Sequence, residues 1–255
     1  FTGLTSRTKR DRAMATMQGL CATKTESVVL PLLETRIREQ LGAPPEASWL
    51  SYETEQGSGY PVLYFQYPTS LVSGFDYFLR NVKLELGSLT DQQPTGRYAI
   101  RPWLADTFPA LFGDWECEVT ALEVARSFWE KATILHMLHH QPEKKRVAPR
   151  MSRHYYDVFQ IAKTPILSRA LSNAALFRRV SEHKSIFFKA AWASYETALP
   201  GTLRPTPPAR IVGELVRDYA GLQPMFFGSA PDFLEILSSL AELEGKINSI
   251  PKEPS

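Results

Sequence analysis

The periodicity of the apolar residues changes near residue 122, and this change constrains the fold more than any other feature of the chain. Before it, short runs alternate apolar and polar side chains, which predicts strands at 60–67, 78–86, 97–103 and 115–120. After it, apolar residues recur every three or four positions. This spacing predicts helices at 123–140, 152–163, 174–199, 208–227 and 230–247. We therefore predict an α+β chain with a small mixed or antiparallel sheet in 1–122 and a helical bundle in 123–255.

A further helix is predicted ahead of the strands, over residues 8–41. Its apolar positions follow three- and four-residue steps, and Gly42 ends it. Pro31 lies within this range, so the pattern fits either one kinked helix or a second helix that begins there.

Composition excludes several classes of protein. Of 255 residues, 44% are hydrophobic and 22% charged, which is typical of a folded globular chain and excludes intrinsic disorder. Cys21 and Cys117 are far apart and form no CxxC motif, which excludes a disulfide scaffold and a zinc-ligand spacing. No apolar run is long enough for a membrane span. We expect a cytoplasmic protein that does not cross a membrane.

The charge is unevenly spread, although the net value is only +2. Residues 123–190 carry 13 basic and 5 acidic side chains, a balance of +8, together with all five histidines. This block includes a proline-bounded loop at 141–150, whose basic residues Lys144, Lys145 and Arg146 are candidate RNA contacts. The pattern fits either a phosphate-facing surface or a solvated helical face with ordinary ion pairs.

Lys83 and Glu85 form the first candidate site, because they lie on one face of an otherwise apolar strand. A carboxylate there can bind a divalent metal, and the lysine can hold a phosphate. The alternative is an exposed strand face with a neighbouring Lys–Glu pair.

The segment RSFWEKATILH carries the second candidate site. Arg126 and Glu130 are four residues apart on a helix and can pair. Lys131 lies near the apolar stripe and needs a partner, for which a bound phosphate is one option. The alternative is an amphipathic helix with a lysine that extends to solvent. Arg126 is also a candidate phosphate contact.

The next predicted helix carries the third candidate site, in Arg153-His154-Tyr155-Tyr156-Asp157. Arg153 and His154 are candidate phosphate contacts, and Asp157 is expected to be partly buried beside a cation. A structural ion pair at the helix start is the alternative.

Three histidines lie close together in the segment HMLHH. His136 and His140 have a zinc-compatible spacing, but no HExxH glutamate and no third ligand accompany them. Solvent-facing or phosphate-facing histidines fit this segment better than a zinc site.

Together these segments resemble a known family. In order, the chain carries NVKLELGSLTDQQPTGRYAIRPWLADTFP, TALEVARSFWEKATILHMLHH, PRMSRHYYDVFQIA, SEHKSIFFKAAWASYETALPGTL and PPARIVGELVRDYAGLQPMFF. This succession, from about residue 60 to 248, resembles the AbiEii/AbiGii-type nucleotidyltransferase toxins. FWEKATILH followed by RHYYD, after VKLEL, is its most specific part.

The resemblance implies a nucleotidyltransferase-like sheet followed by a helical bundle, with an active site in the cleft between them. It implies an NTP substrate, Mg²⁺ or Mn²⁺, an RNA acceptor such as tRNA, and a protein antitoxin encoded nearby. The family's conserved lysine falls on Lys131 and its later aspartate on Asp157, while Glu85 matches its sheet carboxylate and would be a metal ligand.

One departure accompanies this resemblance. The family pattern begins with a Gly-Gly-Thr/Ser turn and a Ser-x-Asp-x-Asp strand whose aspartates hold the metal, and this sequence contains neither motif. We therefore expect a chain that lacks its first element and is poorly active. The alternative is an inactive relative that binds a nucleotide, RNA or a partner protein.

Overall fold

The computed structural model of the chain describes residues 6–44, 46–55, 59–68, 81–112, 116–188, 190–226 and 228–251. The chain forms two compact units, Phe1–Thr90 and Asp91–Ser255. The predicted α+β class is confirmed. The structural boundary comes earlier than the predicted division after residue 122, because residues 91–122 belong to the same unit as the helices that follow them.

The first unit begins with two helices in series. Helix α1 spans Arg7–Lys24 and α2 spans Leu30–Leu41, and a π-helical segment, Thr25–Val29, joins them. Pro31 lies in the first turn of α2, directly after the π-helical segment. Gly42 follows α2 with φ +81°, a backbone conformation that favours glycine.

The same unit contains a three-stranded antiparallel sheet in the order β1-β2-β3. Its strands are β1 (Leu50–Thr54), β2 (Pro61–Phe65) and β3 (Val82–Glu85). Strands β2 and β3 lie within the predicted strands 60–67 and 78–86, of which residues 78–80 lie outside the described part. Strand β1 was not predicted. The buried apolar side chains of this unit are Trp49, Leu50, Val62, Leu63 and Leu89.

Glu34 joins α2 to the start of β1. Its carboxylate accepts hydrogen bonds from the backbone N–H groups of Trp49 and Leu50 and from the Ser48 hydroxyl, at 2.8–3.2 Å. Burial raises the pKa of Glu34, but these hydrogen bonds outweigh burial and hold it below its ordinary value. The side chain therefore binds as a carboxylate.

The second unit begins with a β-hairpin. Strand β4 (Thr95–Ile100) pairs antiparallel with β5 (Cys117–Leu122), and the short helix α3 (Leu104–Thr107) lies between them in sequence. These strands overlap the predicted strands 97–103 and 115–120, of which residue 115 lies outside the described part.

Among the described residues, six α-helices follow the hairpin. They are α4 (Val124–His139), α5 (Ser152–Ala162), α6 (Ile166–Leu171), α7 (Ala174–Phe187), α8 (Ala209–Ala220) and α9 (Phe233–Asn248). Helix α4 packs against α5, α6 and α7, while α5 also contacts α8 and α9.

Three features of this bundle differ from the sequence-based prediction. The predicted helix 174–199 ends at Phe187, and two 3-10 turns follow it, separated by Ser194 at φ +50°. Helix α6 was not predicted. The predicted helix 208–227 ends at Ala220, and a 3-10 segment, Gln223–Met225, follows it. Residues 189 and 227 of these two predicted helices lie outside the described part.

Candidate functional site

Helix α4 lies at the centre of the bundle and positions the candidate residues. Phe128, Trp129, Ala132 and Leu135 on its inner face are fully buried. The Trp129 ring stacks on Phe177 of α7, with centroids 4.0 Å apart and planes at 6°. This packing fixes the rotation of α4 and so determines where the adjacent polar residues point.

Lys131 and Asp157 form an ion pair between α4 and α5. The Lys131 Nζ atom lies 2.6 Å from Asp157 Oδ2, and the two side chains are 29% and 33% exposed. The two residues proposed from sequence as the core of the site are therefore in contact. Both remain open to solvent, so a charged ligand can reach them.

His154 lies beside this ion pair but is only 8% exposed. Burial, and then the positive charges of Lys131 and Arg153, lower the pKa of His154 to about 4. The imidazole is therefore neutral near pH 7, and its Nδ1 has no hydrogen-bond partner among the described residues. A neutral ring adds no positive charge for a phosphate, whereas Arg153 is exposed and charged.

Arg126 is the centre of a buried charge network in the same unit. Its side chain is fully buried, and its two terminal nitrogens donate to Asp91 and Glu130, each at 2.8 Å. It also donates to the Gln93 carbonyl. From sequence, Arg126 is a candidate phosphate contact. In the structure both of its terminal nitrogens instead bind carboxylates, away from solvent.

Two further cations complete the network. Arg179 of α7 binds Asp91 through two nitrogens at 2.7 and 2.9 Å. Lys184, also on α7, lies 2.7 Å from Glu130 and is nearly buried. Burial raises the pKa of Glu130, but Lys184 and Arg126 outweigh burial and hold it below its ordinary value. The carboxylate is therefore charged within the bundle.

His136 is a structural residue and has no position free for zinc. Its Nε2 lies 3.0 Å from the Ser194 carbonyl, and its Nδ1 accepts a hydrogen bond from the Arg204 backbone at 2.9 Å. Burial, then the charge of His140, lowers the pKa of His136 to about 4. Because both nitrogens are occupied, the spacing of His136 and His140 does not make a zinc site.

The basic loop 141–150 presents Lys144, Lys145 and Arg146 to solvent, as their candidate role requires. The Lys145 ammonium lies 4.0 Å above the Trp192 ring. A cavity of about 320 Å³ lies between the loop and α8, lined by Arg146 and Arg217 among others.

Carboxylates of α8 hold the backbone of this loop. Glu214 accepts from the Val147 N–H at 3.1 Å, and Asp218 accepts from the N–H groups of Arg150 and Ser152 at 2.6 and 2.8 Å. Ser152 fits the sequence pattern of a helix cap. In the structure it is the first residue of α5, and Asp218 on α8 accepts the hydrogen bond of its backbone N–H.

Lys83 and Glu85 occupy a different environment, on β3 of the first unit. The Lys83 Nζ lies 2.9 Å from Glu55 and also binds Glu85, whose side chain is 59% exposed. Hydrogen bonds from Glu85, then Glu55, raise the pKa of Lys83 above its usual range. Its charge is thus matched by two carboxylates.

The described residues do not fit a metal centre. Glu85 binds Lys83 and Asp157 binds Lys131, so each nominated carboxylate is already matched by a cation. No group of three His, Cys, Asp or Glu side chains within the described ranges could hold an ion. Catalytic Mg²⁺ needs several oxygen ligands, whereas Glu85 has Glu55 as its neighbour and both carboxylates bind the Lys83 ammonium.

Sequence reasoning missed four residues of this unit: Asp91, Arg179, Lys184 and Asp218. Each binds a residue far from it in sequence, so no i, i+4 spacing identifies its partner. The one signal that the sequence offers for these residues is Arg126, because an arginine buried in a helical bundle requires more than one carboxylate partner.

Comparison with known families identifies the family of the chain. Residues 10–239 match the family model described as "Nucleotidyl transferase AbiEii toxin, Type IV TA system". The chain belongs to the AbiEii family. No curated protein and no solved structure matches it significantly. The matched range includes Lys131 and Asp157 and parts of both compact units.

Membership of the AbiEii family identifies a nucleotidyltransferase toxin of a type IV toxin–antitoxin system. It implies an NTP substrate, a divalent metal in general terms, and an antitoxin partner. Across the described ranges, no helix combines the length and apolar character needed to cross a membrane.

Proposed function

We propose that this AbiEii-family chain transfers a nucleotide from an NTP to an RNA acceptor, and that the acceptor is tRNA. The observation that carries the proposal is the Lys131–Asp157 pair, which joins two helices of the bundle and remains about one-third exposed. A charged pair in such a position can bind a charged ligand without burying an unmatched group.

In this proposal Lys131 is the cation that holds the polyphosphate. Asp157 accepts from Lys131 at 2.6 Å and keeps the ammonium in one orientation. When an NTP binds, phosphate oxygens take up the remaining N–H donors of Lys131. An RNA hydroxyl then attacks the α-phosphorus and gives its proton to solvent, and pyrophosphate leaves as its bond to the α-phosphorus breaks.

The basic loop supplies the proposed RNA contacts. Lys144, Lys145 and Arg146 are exposed, and Arg153 on α5 is exposed near the Lys131–Asp157 pair. Phosphate neutralisation by such side chains gives RNA affinity that does not depend on sequence and that falls with salt. We propose that the protein acts in the cytoplasm, where NTPs and tRNA are both present, and that its antitoxin is encoded nearby.

Mg²⁺ or Mn²⁺ is the proposed cofactor, although the described carboxylates do not form its site. Because Glu85 and Asp157 are each paired with a lysine, we also consider a second function. In this alternative the chain binds a nucleotide, RNA or a partner protein without transfer.

The deciding experiment incubates the chain with labelled NTPs, Mg²⁺ and total tRNA. For a chain that is expected to be poorly active, the proposal predicts weak label in RNA that is lost in Lys131→Ala and Asp157→Asn and kept in Lys83→Ala. Binding of NTP without incorporation supports the second function. Incorporation that survives Lys131→Ala contradicts the proposed site.

A further inference from the structure

The cavity between the basic loop and helix α8 has a mixed lining. The loop contributes Arg146 and the apolar residues 147–149, and α8 contributes Glu214, Arg217 and Asp218. Its volume of about 320 Å³ lies at the lower end of the range for small-ligand pockets. Apolar side chains combined with a few charged ones are typical of such pockets, so the cavity can hold one small, polar, flat group.

Hydrogen bonds within the chain hold the walls of this cavity in place. The oxygens of Asp218 accept from the backbone N–H groups of Arg150 and Ser152 and from the Ser152 hydroxyl. On the loop, the Gln141 side chain donates to the Lys145 carbonyl at 2.7 Å. The cavity is therefore formed without a ligand, and Asp218 is occupied in supporting it.

Glu214 and Arg217 are the charged groups of the α8 wall that can still bind a ligand. Glu214 accepts from the Val147 N–H through Oε2 at 3.1 Å, and its Oε1 has no hydrogen-bond partner in the described part of the chain. The Arg217 guanidinium is exposed and has no ion pair within that part either. Because the two residues are three apart on a helix, their side chains are neighbours on one face.

We infer that this cavity binds one guanine base of a single-stranded RNA. Guanine carries two donors, N1–H and N2–H, beside two acceptors, O6 and N7, and unpaired RNA leaves all four accessible. Glu214 accepts from the two donors through Oε1 and the remaining lone pair of Oε2. Arg217 donates to O6 and N7 through its planar fork. Adenine has a donor in place of O6 and lacks the 2-amino group, so it matches neither residue.

Arg146, on the loop wall, has a different task. It is exposed beside Lys144 and Lys145, and we assign it to an RNA phosphate next to the bound base. Phosphate contacts position an RNA but do not read its sequence, so the base preference comes from Glu214 and Arg217 alone. That the bound RNA is the acceptor rests on the proposed function, whereas the base preference itself does not.

The test compares short fluorescent oligouridines that differ in one central nucleotide: guanosine, inosine or adenosine. Anisotropy measures their binding to the wild-type chain. The guanosine oligonucleotide should bind about tenfold more tightly than the adenosine one, as expected for a bidentate base contact. Inosine lacks only the 2-amino group and should bind with intermediate affinity. Equal affinity for all three overturns the inference, and this comparison needs no variant.

Conservative variants then assign the preference to its residues. Glu214→Gln keeps an oxygen for the Val147 N–H but loses the carboxylate, and Arg217→Lys keeps the charge but loses the fork. Each should bring the affinities for guanosine and adenosine within about threefold of each other. Glu143→Gln, at an exposed residue of the same loop outside the cavity lining, is the control and should keep the wild-type preference. A preference that survives both α8 variants overturns the site.

Two further measurements separate the source of the guanine and the proposed function. Guanosine monophosphate alone should bind much more weakly than the oligonucleotide, because it lacks the neighbouring phosphates, and equal affinity would overturn the assignment to RNA. The labelled-NTP assay is run beside the binding assay. A guanosine preference without label incorporation supports the cavity and contradicts the proposed function. Incorporation with equal affinity for all three oligonucleotides supports the proposed function and overturns the cavity assignment.

Discussion

The two compact units differ in how far their charged residues are buried. In the second unit, residues 91–255 and here called the helical unit, Arg126 is fully buried, and its carboxylate partners Asp91 and Glu130 are 15% and 18% exposed. In the first unit, residues 1–90 and here called the sheet unit, the side chains of Lys83 and its carboxylate partners are 30–59% exposed. Sequence reasoning treated both as equal candidates. Their surroundings give them different energetic weight, because a buried charge depends on its partners and an exposed one has water.

The two units also differ in their histidine content. All five histidines lie within residues 136–183, and the first unit has none. His136 and His154 are buried and neutral. The helical unit therefore carries both the buried ion network and the groups whose protonation opposes folding.

The largest expected effect is on the stability of the helical unit. Arg126→Met leaves Asp91 and Glu130 with one cation each, and breaking a buried pair in this way costs about 3–5 kcal/mol. Urea unfolding followed by tryptophan fluorescence measures the loss. A change below about 1 kcal/mol would show that the network is no more important than a surface pair.

The next effect is acid sensitivity confined to one unit. The pKa of His136 is about 4 in the folded chain and about 6.5 in the unfolded chain. Its neutral imidazole therefore makes its full contribution to the free energy of unfolding above pH 6.5. That contribution, at most about 3 kcal/mol, is lost as the pH falls from 6.5 to 4. Hydrogen exchange, corrected for intrinsic rates, should show α4 losing protection at pH 5 more than the β1–β3 sheet does.

His136→Gln is the matched variant for this effect. It should lower stability at pH 7, because the amide cannot replace all of the contacts that the imidazole makes with Ser194, Thr197 and Arg204. It should also flatten the decline in stability between pH 6.5 and 4. An equally steep decline in this variant would assign the acid sensitivity to other groups.

A smaller effect is expected on RNA binding. Charge reversal at Lys144, Lys145 and Arg146 should weaken tRNA binding at least about tenfold near 0.1 M salt and flatten its salt dependence. The matched control reverses Lys9, Arg12 and Lys24, exposed residues of α1, and should change binding less. Equal losses from both triple variants would remove the distinction between the two units.

The smallest effect is expected on the sheet surface. Lys83→Met should change the free energy of unfolding by less than about 1 kcal/mol, because its ion pairs are exposed. Thermal unfolding measured beside Arg126→Met provides the comparison. A loss as large as that of Arg126→Met would mean that the exposed and buried pairs do not differ.

Much of this fold is predictable from sequence where a local pattern carries the information. Helix α4 and strand β3 follow from their apolar periodicity, and Asp157 lies beside a cation, Lys131, as its sequence context suggests. The helix break after Phe187 and the partners of Arg126 are not predictable in this way. They depend on residues distant in sequence, such as Asp91 and Lys184, which tertiary packing alone brings together.

The most direct test of the central claim is ATP affinity measured by titration calorimetry in matched lysine variants, one from each unit. Lys131→Met should weaken ATP binding about tenfold or more, the loss expected when a hydrogen bond to a charged group is removed. Lys83→Met should bind ATP with wild-type affinity. Unchanged affinity in a folded Lys131→Met, or an equal loss in both variants, would contradict the assignment of the site to Lys131 and Asp157.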